Sequence, residues 1–244
     1  MALAEGNPFE TFGAAHVAAI GIVAAVAAGL TVWARRSPSV RVVRGIALAL
    51  AAVLLVNEAV YYAAGAAVST PAGFVQRFLP LHVCGGAVYL TAWMLVRPGR
   101  RVFEIAYVWG IGGTLQAILT PDLADGFPAY WFWQFFIAHG GIVAGVVFAA
   151  FALRLRPARG AALRVIVVTN LAVAAVGLAD AALGANYMFL CAAPRGASPF
   201  FFLPWPWYIL GLEAVGVAMT LLLFLPFAIA RPARPRPRGA GALP

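Results

Sequence analysis

Ionic side chains are scarce in this chain: 10% of its 244 residues are charged, where a soluble domain carries about 25%. So few ionic groups cannot cover the water-facing surface of a globule this size, and a soluble domain is excluded. Lysine is missing altogether. All 17 basic residues are arginine, in a sequence with 25 glycines and 17 prolines, so the absence reads as compositional bias rather than a demand for guanidinium chemistry. Acids number only eight, giving a net charge of +9. That excess does not indicate nucleic acid, because the arginines fall in short clusters between apolar runs, as juxtamembrane charge does. Two cysteines exclude a disulfide framework, and their spacing excludes a zinc site. No metal and no cofactor is therefore expected. No internal repeat is visible, which argues against a transporter built from inverted halves.

What the chain has in abundance is apolar length: 64% of it is hydrophobic and its mean hydropathy is +0.91. Long apolar runs lie at 14–34, 42–64, 78–96, 102–119, 131–153, 163–183 and 205–230, separated by Arg, Pro, Gly, Ser or Asp. At about 20 residues per crossing, they predict an all-α, polytopic membrane bundle of about seven transmembrane helices. Residues 1–230 form one membrane domain. The first run follows Glu5 and Glu10 rather than a basic region and is long, so it is expected to remain as a span. The segment 231–244, RPARPRPRGAGALP, is too poor in apolar residues to fold and is expected to be a disordered cytoplasmic tail.

Arginine also sets the orientation. Fifteen of the 17 lie in alternate connections: 35–44, 97–101, 154–164 and the tail, leaving Arg77 and Arg195 for the other side. Positive charge stays cytoplasmic, so the N-terminus is predicted outside and the C-terminus inside, in the inner (cytoplasmic) membrane.

Polar side chains within these runs are costly in lipid and mark a site by default. Glu58, His82, Cys84, Gln116, Gln134, His139, Asp180 and Glu213 all fall in one layer, roughly 5–12 Å below the outer surface at about 1.5 Å of rise per residue. Interhelical hydrogen bonding is the plainer role for each. Their clustering on one side points instead to a pocket open to the outer leaflet. Cys84, in LPLHVCGG, is the one thiol in that layer and a candidate nucleophile. His82 is nearest in sequence, yet positions two apart on a helix point about 200° apart, so His139 on another helix is the better base. Gly85, Gly86, Gly140 and Gly141 follow the two residues; close helix packing and access for an acyl chain explain them equally well. The long outer loop GANYMFLCAAPRG supplies Asn186, Tyr187, Cys191 and Arg195. It is able to fold over the pocket, with Arg195 meeting a lipid phosphate. Alternatively, Cys191 pairs with Cys84 on an oxidising face, which would remove the nucleophile.

The strings LPLHVCGG (79–86), WGIGGTLQAILTPDL (109–123), FFIAHGG (135–141), GANYMFL (184–190) and PWPWYILGLE (204–213) resemble the bacterial YwaF-like integral membrane family. That family is similar in turn to the eukaryotic transmembrane protein 164 group. The resemblance spans about residues 14–230. It implies a cysteine-dependent acyltransferase acting on phospholipids and lysophospholipids, or a related lipid ester hydrolase, with Cys84 matching the nucleophile and His139 its partner histidine. On that reading His82, Gln116 or Asn186 stabilises the oxyanion, and Glu58, Asp180 or Glu213 orients a histidine. The alternative is a non-enzymatic transport or small-ligand-binding protein whose acids and histidines carry a proton or polar ligand.

Overall fold

The computed structural model describes residues 7–194, 201 and 203–229. The tail and Arg195 lie outside these residues. Among the described residues the chain is helical, with one isolated bridge between Pro8 and Asp125. The long helices are α1 (Ala14–Arg36), α2 (Val40–Val68), α7 (Tyr130–Phe151), α8 (Ala161–Leu183) and α9 (Trp207–Ile229). The fourth apolar run is composite: α5 (Arg100–Tyr107), a π-helix (Val108–Thr114) and α6 (Leu115–Leu119). Six of these segments are long and apolar enough to cross a membrane.

The third run departs from expectation. Its helix, α4 (Val83–Val96), has 14 residues and rises about 21 Å, short of the roughly 30 Å hydrocarbon layer. Pro80 and the turn around it occupy the first part of the run. A short helix not foreseen, α3 (Pro71–Arg77), precedes that turn. Thr70 accepts the Gly73 N–H through its hydroxyl and Pro71 opens the first turn, a standard start signal.

Helix α7 is the axis of the bundle, with 67% of its apolar window buried against 11% for α9. Helices α1, α2, α4 and the π-helix pack around it. Small residues permit the approach: a Cβ on Gly145 would meet Thr91 of α4, one on Gly141 would meet Leu54 of α2, and one on Gly140 would meet Val23 of α1. The π-helix uses Gly110 in the same way against Ile142 and Val146. A π-turn often marks a functional place in a helix, and this one packs beside α4, where Trp109 fills the space over Gly86. Helices α8 and α9 pair with each other and lean on the π-helix and α5.

Two buried polar clamps fix the ends. At the arginine-rich end Glu104, only 1% exposed, accepts the Ala158 N–H at 2.7 Å and is bridged by the Arg164 guanidinium at 2.8 Å. At the other end His16 accepts the Phe12 N–H at 2.8 Å through Nδ1 and donates from Nε2 to the Ile118 carbonyl at 2.8 Å. This ties α1 to α6.

Candidate active site

Cys84 occupies the first turn of α4, two positions after the N-cap His82. Its place in that first turn puts a thiolate there at the positive end of the helix. Cys84 and Thr91 are seven residues apart on one face of α4, and Thr91 touches Gly145 of α7. Two turns towards the helix start, Cys84 therefore lies at the level of Ala138, with His139 at similar depth about 100° further round α7. Helix α2, whose Leu54 packs with Ala87 and Val88 of α4, carries Glu58 one turn further toward the level of Cys84, with Tyr61 beyond it. Glu58 is 5% exposed and lies beside the Tyr62 hydroxyl, which accepts a hydrogen bond from Tyr89 at 3.0 Å. The buried Tyr130 hydroxyl has no hydrogen-bond partner among the described residues. These tyrosines were not anticipated. The signal was present, because Tyr61 and Tyr62 follow Glu58 by three and four positions and share its helix face.

The partners of the three histidines fix their neutral tautomers. A carbonyl only accepts and an N–H only donates. His16 and His82 each accept a backbone N–H at Nδ1, from Phe12 and from Met188, and so carry their proton on Nε2. His139 is the reverse: its Nδ1–H donates to the Phe135 carbonyl at 2.9 Å, and its ring stacks on Phe135. Among the described residues its Nε2 makes no hydrogen bond. Among the histidines, only His139 thus offers a free basic nitrogen. No hydrogen bond joins it to Cys84, whose sulfur is free, as is that of Cys191.

A second cluster pins the loop after α8 onto the turn before Cys84. Asp180 accepts the Tyr187 N–H at 2.9 Å. The Tyr187 hydroxyl accepts the Leu79 N–H at 2.9 Å and donates to the Val75 carbonyl at 2.8 Å. His82 holds Met188, whose φ of 52° and that of Phe189 at 57° are left-handed. Asn186 spends its amide on its own loop, accepting from Cys191 and Ala192 and donating to the Ala192 carbonyl. Tyr187→Phe leaves the Leu79 N–H of the turn and the Val75 carbonyl of α3 without this partner. It should lower stability by about 2–3 kcal/mol, read as a drop in thermal midpoint on detergent-solubilised protein; an unchanged midpoint contradicts this anchoring.

The remaining sequence candidates stand apart. Gln116 bonds Thr120 within its own helix at 3.0 Å. Glu213 pairs with Asn170 at 2.8 Å between α8 and α9.

Residues 11–224 match the TMEM164 family. The chain belongs to the TMEM164 family. It is also 31% identical over 154 residues to an uncharacterized protein of Treponema pallidum (strain Nichols), a match covering 61% of this chain and 62% of that relative. The match thus spans less than two thirds of that relative's length. No solved structure matches. The chain is a multi-pass membrane helical bundle of this family.

Proposed function

We propose that this protein is a membrane acyltransferase or lipid ester hydrolase in which Cys84 is the nucleophile and His139 the base. The observation that carries the reading is the free Nε2 of His139 at the level of a thiol on a helix N-terminus. His139 takes the Cys84 proton and the sulfur attacks the ester carbonyl of a phospholipid. The tetrahedral intermediate collapses to a thioester, and His139 returns the proton to the departing lysophospholipid oxygen. A lysophospholipid hydroxyl, or water, then gives its proton to His139 and takes the acyl group, restoring the thiol. His82, whose free nitrogen carries a proton, suits a donor rather than a base. Glu58 and Tyr61, on the helix packed against α4 and toward the level of Cys84, are suited to orient an incoming group. The arrangement lies at the end of the bundle away from the arginines, which we place in the outer leaflet of the cytoplasmic membrane. The YwaF-like affinity and the phospholipid and lysophospholipid substrates belong to the same proposal.

The two histidines separate the roles. With a fluorescent phospholipid donor and a lysophospholipid acceptor in nanodiscs, His139→Gln should lower turnover by about 100-fold or more. His82→Gln, which keeps an amide able to donate, should retain much more. Equal losses, or a greater loss at His82, would reverse the assignment.

A further inference from the structure

We infer that the groove between α1 and α2 is a binding site for an anionic phospholipid, separate from the Cys84 site. The two helices splay apart over α7, making few contacts with each other, and enclose a volume of about 870 Å³. That is within the range of small-molecule sites, roughly 300–1,000 Å³. Its walls are Val26 and Trp33 from α1 and Gly45 and Ala49 from α2, and its floor is Gly140 and Ala144 of α7. A Cβ on Gly45 would meet nothing within 4 Å, so the groove is open there. No side chain in the lining is charged. An acyl chain fits this surface, whereas a polar solute does not.

The groove's mouth selects the head group. Arg41 lies one turn before Gly45, in the first turn of α2 just past the last lining residue, Val42. Arg36, three residues past Trp33, continues the α1 wall. Both are exposed, and neither makes an ion pair among the described residues. Between them α2 begins at Val40; its N-cap Ser39 makes no side-chain cap bond, and while the Val42 and Val43 N–H groups bond the Ser39 carbonyl, those of Val40 and Arg41 have no partner among the described residues. Two guanidinium groups without an ion pair and the two open N–H groups of α2 therefore lie in the connection just beyond the end of the apolar groove. A phosphate joined to an acyl chain satisfies all of these. His139 lies on another face of α7 from Gly140 and Ala144, about 100–140° around the helix, so this site does not depend on the acyl-transfer reading.

Native mass spectrometry of the purified protein tests the proposal, with a phosphatidylglycerol and a phosphatidylcholine of identical acyl chains as probes. The wild type should retain phosphatidylglycerol in preference by at least about tenfold, given two arginines at the membrane surface. Arg36→Gln/Arg41→Gln, changing only exposed residues, should abolish the preference and leave phosphatidylcholine binding as it was. Gly45→Leu should weaken retention of both lipids. Equal binding of the two lipids by the wild type, or an undiminished preference in the double arginine variant, overturns the proposal. So does a dimer that Gly45→Leu converts to a monomer, since a second copy would then fill the groove.

Discussion

Cys84→Ala is expected to abolish acyl transfer, lowering turnover by at least about a thousandfold, because it removes the atom that would carry the acyl group. The side chain is only partly buried and the first turn of α4 is held by its backbone. The variant should therefore fold and retain a wild-type thermal midpoint, so that lost activity reports chemistry. Cys191→Ala should be neutral, since Cys191 is exposed, unbridged and not joined to Cys84. Cys84→Ser, with a hydroxyl that is far less acidic than a thiol, should retain at most a trace. Donor and acceptor lipids in nanodiscs, with products resolved by mass spectrometry, give the measurement. Full activity in Cys84→Ala would remove the nucleophile and favour the transport or ligand-binding alternative.

The largest effect on stability is expected at the Glu104–Arg164 clamp, with an order that burial dictates. The Glu104 side chain is 2% exposed and that of Arg164 40% exposed. Arg164→Ala strands a buried carboxylate and should cost about 3–5 kcal/mol. Glu104→Ala leaves a guanidinium that rehydrates in place and should cost less. Adding Glu104→Gln to Arg164→Ala should restore part of the loss, because the stranded charge is gone. Thermal unfolding followed by size-exclusion chromatography would read all three. If Glu104→Ala proves the more damaging change, or the double variant recovers nothing, the penalty does not arise from an unpaired buried charge.

Periodicity and composition carried most of the architecture. Apolar runs separated by arginine clusters correspond to the long helices within a few residues, because lipid imposes one demand on every span. The exceptions have local causes. Pro80 shortens α4, and Thr70 with Pro71 starts a helix too short to be seen among longer runs. The π-helix arises where Gly110, Gly112 and Gly113 let the backbone approach α7, α9 and α4 respectively, a matter of packing that no single stretch of sequence expresses. Within the site, shared depth placed Cys84, His139 and Glu58 in one layer. Depth does not report direction. His82 turns to the loop, Asn186 closes on itself, and Gln116 and Glu213 satisfy neighbours outside the cluster. Glu104 reads in sequence as a blemish in a span, yet it is a clamp whose partner lies 60 residues away.

The covalent intermediate is the most direct test of the central claim. Purified protein given a phospholipid donor without acceptor, then quenched in acid and digested, should yield the peptide containing Cys84 heavier by one acyl group. That adduct should be released by neutral hydroxylamine, as a thioester is, and should accumulate less when lysophospholipid is supplied. It should be absent from Cys84→Ala and present in Cys191→Ala. An acyl group found on another residue, or acyl transfer by wild-type protein with no adduct at Cys84 under any quench, would contradict covalent catalysis by this thiol.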